Sequence, residues 1–173
     1  MASVKTDKCN FFVNYVTAKY WEEVAVNSLL RHALWHGYIS LEDSQSFVMT
    51  PESVEKLTQA IGCASLSENK NFCEAKDKAK SSRLKAYRIL IGRAGKAGYI
   101  LPEVQEKMEN STEYPNSKWV IDTVNALHWQ NPDFSEWEKI KEGLLDAVFD
   151  AGGKVEHMTS AIRRTFNEPK LSA

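Results

Sequence analysis

The chain has 173 residues, of which 43% are hydrophobic and 26% charged. That supplies enough apolar surface for a core and excludes wholesale disorder, while eight glycines and five prolines exclude a collagen-like or linker-dominated chain. A net charge of -1 excludes attachment to nucleic acid or membrane by overall charge alone.

The first residues, Met1 to Asp7, are polar and mixed in charge, and no apolar run approaches bilayer length. Val16, Tyr20, Val24, Leu30 and Leu34 then recur at helical steps, predicting a helix over about 16–36 that Gly37 ends. A short helix is expected over 41–49. Thr50-Pro51-Glu52 reads as a helix start: Thr caps, Pro fills the first turn and the acid faces the dipole. Val54, Leu57 and Ile61 form its apolar stripe, and Gly62 closes it.

Residues 63–71 read as a polar connection, the expected boundary between an N-terminal helical half (1–66) and a C-terminal one (67–173). A second long helix is predicted over 72–94, with Gly95 and Gly98 ending it. Leu101-Pro102-Glu103 opens a short helix to about Met108, and a loop over 110–117 precedes a helix over 118–128. Asn131-Pro132-Asp133 starts a helix reaching 151, Gly152-Gly153 breaks it, and 154–166 is the last helix. No alternating β-branched run is bounded by hairpin turns. The expected fold is therefore all-α, a bundle of about seven to eight helices. A faint internal repeat accompanies it: Gly37-Tyr38-Ile39 and Gly98-Tyr99-Ile100 both follow a long helix, with a looser copy at 151–155.

The net charge conceals segregation. From Lys70 to Lys96 nine cations face only Glu74 and Asp77, a net of +7, whereas 101–150 carries a net of −7. On a helical wheel Lys78, Lys85, Arg88 and Lys96 lie opposite the apolar stripe, and Lys76, Lys80 and Arg83 flank it. Such a ridge suits a phosphate backbone and reads no bases. The expected nucleic-acid contacts are Lys76, Lys78, Lys80, Arg83, Lys85, Arg88, Arg93 and Lys96. The plainer alternative is a solvated face, or cations that meet the chain's own acidic half. A weaker outline, helix, glycine turn and basic helix over 144–164, has the order of a helix-turn-helix, but its acids oppose phosphate.

Few residues offer chemistry. His32 and His36 stand at metal-ligand spacing, but the sequence between them, Ala33-Leu34-Trp35, lacks the glutamate of a metalloprotease. Polar surface histidines are the favoured reading, and no metal or cofactor is expected. Gly92 to Gly98 lacks the spacing of a phosphate loop and the hydroxyl residue after its lysine. Cys9, Cys63 and Cys73 form no Cys-x-x-Cys pair, and an odd count without an apolar leader predicts reduced thiols and a cytoplasmic location. No nucleophile elbow or Cys–His pair is evident, so the chain is not expected to be an enzyme.

Five tryptophans and six tyrosines are many for this length, and such residues serve both as interface anchors and as stacking surfaces for unpaired bases. The expected function is non-enzymatic nucleic-acid binding, to RNA or without sequence preference, consistent with an accessory protein of a virus or mobile element. The alternative is a protein-interaction module using exposed aromatics and the acidic 101–150 half. Segregated charge also suits a homo-oligomer in which the basic ridge of one copy meets the acidic half of another. No membrane partner is expected.

Overall fold

The computed structural model describes residues 4–150, 161–163 and 165. Every regular element among them is a helix, and there is no strand. In chain order these are α1 (Val4–Trp35), α2 (Leu41–Gln45), α3 (Pro51–Ile61), α4 (Cys63–Ser67), α5 (Lys70–Lys96), α6 (Pro102–Asn110), α7 (Ser117–Ala126) and α8 (Phe134–Asp150). Ala161, Ile162, Arg163 and Thr165 are helical as well. The all-α expectation holds. None of the described helices is long and apolar enough to cross a membrane.

The helices gather into two compact units. One comprises Met1–Tyr20 with Lys80–Ala173, the other Trp21–Ala79. Both long helices, α1 and α5, therefore supply residues to each unit. The expected 66/67 boundary lies within the Trp21–Ala79 unit, in α4.

In the Trp21–Ala79 unit the core is Leu29, Ala33, Leu57, Ile61 and Leu66, with Leu30, Ile39, Phe47, Val54 and Phe72 packed against it. Its most legible element is α3. Thr50 accepts from Ser53 N–H while Ser53 Oγ accepts from Thr50 N–H, a reciprocal cap ahead of Pro51. The stripe Leu57–Ile61 is buried as its spacing requires.

In the other unit the core is built on Phe11, Phe12, Val16, Leu90, Ile91, Val124, Trp129, Ile140 and Leu144, all at most 2% exposed. Phe11 touches Phe12, Tyr15 and Trp129 at ring-centroid distances of 5.2, 5.5 and 5.7 Å. Helix α1 begins at Val4, well ahead of the expected residue 16. Six successive residues, Tyr15 to Tyr20, are all buried and so enclose its whole circumference, and no single stripe marks this stretch.

Three helix stops share one hydrogen-bond pattern. Tyr38 N–H donates to Ala33 O (2.8 Å) and Gly37 N–H to Leu34 O (3.2 Å). Tyr99 and Gly98 repeat this on Ala94 and Gly95, and Trp129 and His128 on Val124 and Asn125. This is the Schellman arrangement, whose turning residue takes a left-handed backbone. Glycine fills that position at 37 and 98, with φ of 75° and 80°. The likeness between the two Gly-Tyr-Ile corners is that of this helix stop; the helices that follow differ in length, five residues in α2 and nine in α6. The looser third copy at 151–155 and the turn of the helix-turn-helix outline lie outside the described residues.

At the third stop the turning residue is the exposed His128, with φ of 58°. A side chain in this conformation is strained by about 1–2 kcal/mol. His128→Gly should therefore raise stability by roughly 0.5–1 kcal/mol, after allowing for a freer unfolded chain. An unchanged or lower urea midpoint would contradict the assignment.

Candidate nucleic-acid interface

Helix α5 is rich in lysine, arginine and alanine, all strong helix formers. Asn69 Oδ1 caps its start, accepting from Phe72 N–H at 3.1 Å. Ala75, Ala79, Ala86, Leu90 and Ala94 are buried and form its inward face. The helix runs through Gly95 to Lys96, so Gly98 alone makes the stop.

The eight expected contact residues divide into three kinds. Lys76 and Lys78, in the Trp21–Ala79 unit, are exposed but lean on rings: Lys78 Nζ lies 4.4 Å from the Trp21 ring centre and Lys76 Nζ 5.9 Å from that of Phe72. Lys80, Lys85, Arg88 and Lys96, in the other unit, are exposed, and no ion pair occupies them among the described residues.

Arg83 and Arg93 are drawn into the fold. The Arg83 guanidinium sits between Tyr15 (5.3 Å) and Tyr114 (5.6 Å) and donates to Tyr87 Oη at 3.2 Å. Arg93 makes a fork to Asp7 Oδ2 through Nε (2.9 Å) and Nη2, with both side chains at most 15% exposed. A guanidinium held by its own carboxylate offers little to a phosphate.

Nor is the ridge continuous. At 100° per residue, Lys85, Arg88 and Lys96 span an arc of about 80°. Gly92 and Gly95 lie on that same side, and α6 rests on them: Glu109 Oε1 comes within 4.0 Å of where a Cβ on Gly92 would stand, and a Cβ on Gly95 would overlap the Gln105 amide. Helix α6 therefore crosses between Arg88 and Lys96 and brings the Glu109 carboxylate beside the cations. The two glycines permit this approach.

The acidic half is also partly internal. Glu136 is buried against Lys8 at 3.2 Å, and Asp122 pairs with Lys118 at 3.5 Å on the surface. Lys8 and Lys19, each 7% exposed, are buried cations that no local pattern marks.

The tryptophans diverge. Trp129 and Trp21 are buried at 1% and 8% exposure, whereas Trp35, on the helix face it shares with Trp21, is 86% exposed. Leaving such a ring in water forgoes roughly 2–3 kcal/mol of burial. Trp35 borders an open cleft of about 330 Å³ lined by Ser28, Arg31, His32, His36, Asn69 and Asn71. Asn69 Nδ2 faces His32 Nδ1 at 3.4 Å, because Asn69 Oδ1 is taken by the cap, and His32 Nε2 meets Ser65 Oγ at 2.9 Å. Both His32 nitrogens thus have a polar neighbour. No group of three or more metal-ligating side chains occurs among the described residues.

No family model matches the chain, and neither a curated protein nor a solved structure is significantly similar to it.

Proposed function

We propose that the chain is a non-enzymatic nucleic-acid-binding protein that engages the phosphate backbone, of RNA or without sequence preference, through α5. One observation carries this reading. Between Asp77 and Glu103 the chain has seven cations and no carboxylate, and five of them (Lys78, Lys80, Lys85, Arg88 and Lys96) face solvent. Cations left in water on one helix, beyond its last carboxylate at Asp77, are what an electrostatic phosphate contact requires. The strongest segment is Lys80–Arg88, ahead of the α6 crossing. Its eight-residue span covers about 12 Å of helix, on the scale of three to four phosphates along a strand.

The test is fluorescence anisotropy with short single- and double-stranded RNA and DNA at low and moderate salt. The triple substitution Lys80→Ala, Lys85→Ala and Arg88→Ala should weaken binding at least tenfold and flatten the salt slope by about 2–3. Neutralising Lys107 and Lys139 instead should change little. Equal binding by the triple variant would remove α5 as the interface, and no binding by the unaltered protein would remove the reading.

A further inference from the structure

We propose that the cleft between the end of α1 and the start of α5, within the Trp21–Ala79 unit, binds a nucleoside monophosphate group. The ring would stack on Trp35, and the phosphate would lie between Arg31 and the first turn of α5. This goes beyond the α5 reading and stands on different residues.

Ser28, Arg31, His32 and Trp35 follow one another at i, i+3, i+4 and i+7, so α1 presents them as a single stripe along the cleft. Facing them is the start of α5. A helix of 27 residues leaves its first N–H groups, those of Lys70 and Asn71, without intrahelical acceptors, and its dipole favours an anion there. A second observation makes this a built site. Ser28 is 5% exposed and lines the cleft, and its Oγ has no hydrogen-bond partner among the described residues. Buried hydroxyls are normally satisfied, so this one would gain a hydrogen bond by turning about χ1 toward a polar group in the cleft.

The rest of the lining defines the ligand. No carboxylate is among the lining residues, and exposed Arg31 makes no ion pair with a described residue. The local balance therefore favours an anion, and a guanidinium suits the oxygens of a phosphate. Trp35 supplies a bare π-face, and the His36 ring lies tilted against His32 at a centroid distance of 4.4 Å. The contacts that Asn69 and Ser65 make fix the His32 ring in place, so it serves as a wall. A lining of six polar side chains and one indole is unlike the apolar groove a protein helix would fill. An anion joined to a flat ring is the chemistry of a nucleotide, free or as an unpaired residue of an RNA strand.

The experiment is isothermal titration of the full chain carrying Lys80→Ala, Lys85→Ala and Arg88→Ala, which leaves the cleft intact and silences the other proposed site. The probes are adenosine and uridine 5′-monophosphates, the two nucleosides, and a four-residue single-stranded RNA. Saturable binding of a monophosphate at least about tenfold tighter than its nucleoside is expected, from the charge-assisted phosphate contacts. Trp35→Ala should weaken it roughly 5- to 100-fold, as for a lost base stack. Arg31→Ala should remove most of the preference for the phosphate, and Ser28→Ala should weaken binding about threefold or more. Trp35 and Arg31 are exposed, so these variants should keep the helical circular dichroism of the parent. Binding of the monophosphate identifies a free nucleotide as sufficient. Binding of the RNA alone, with the same dependence on Trp35 and Arg31, identifies the strand. No binding of either probe, or binding indifferent to Trp35→Ala and Arg31→Ala, overturns the proposal and leaves the α5 reading to its own test.

Discussion

Lys8→Met is expected to destabilise the protein by about 3–5 kcal/mol, the range for removing one partner of a buried ion pair. The Lys8 and Glu136 side chains are 8% and 9% exposed, and Lys8 Nζ also donates to Asn131 O at 3.0 Å. Glu136 carries a second duty. Its Oε1 accepts from Asp133 N–H at 3.0 Å, while Asp133 Oδ1 accepts from Glu136 N–H at 2.8 Å, a reciprocal cap on α8. Methionine fills the lysine's volume and leaves the buried carboxylate without its cation. Urea denaturation of the single variant and of Lys8→Met with Glu136→Gln provides the check. The double variant should recover most of the loss, because glutamine keeps a carbonyl for the cap and carries no charge. A loss under about 1 kcal/mol in the single variant would mean that water reaches the pair in solution.

Trp129→Ala should cost a comparable amount, about 3–5 kcal/mol, because it empties the largest fully buried position among the described residues. The indole packs on Phe11 and sits immediately after the αL turn at His128. Its Nε1 has no hydrogen-bond partner among the described residues, so the loss is one of packing. Trp129→Phe should therefore retain most of the stability, since it keeps an aromatic ring against Phe11 and removes the unsatisfied donor. Denaturation midpoints of the two variants test this. An alanine variant as stable as phenylalanine would show that the site collapses without penalty.

Much of the architecture was legible in the chain. The Thr50-Pro51 start and Gly62 end of α3, the Gly37 and Gly98 stops and the Pro102 start of α6 depend on residues within a turn of one another. The early start of α1 was hidden because its first half is buried on several sides and therefore shows no amphipathic stripe. Residues 92–95 read as a helix end, because nothing local shows that α6 lies against them. The stop at His128 carries no glycine signal at all.

The candidate interface was legible in its charge and illegible in its geometry. Arg93 finds Asp7 across 86 positions, and Arg83 finds Tyr15 and Tyr114 on other segments. Lys8, which resembles any solvent lysine, is enclosed by α8. The importance of Trp35 lay in exposure, and a sequence containing five tryptophans gives no means of telling Trp35 at 86% from Trp129 at 1%.

By itself the sequence determined that the chain is helical, where most helices stop, and that its positive and negative charges lie in different stretches. Those properties follow from dihedral preference, capping and composition, which act over a few residues. Only the tertiary structure decided which cations remain in water, where α6 divides their ridge, and that Ser28, Arg31, Trp35 and the start of α5 border one cleft. Those outcomes depend on contacts between residues tens of positions apart, which no local pattern encodes.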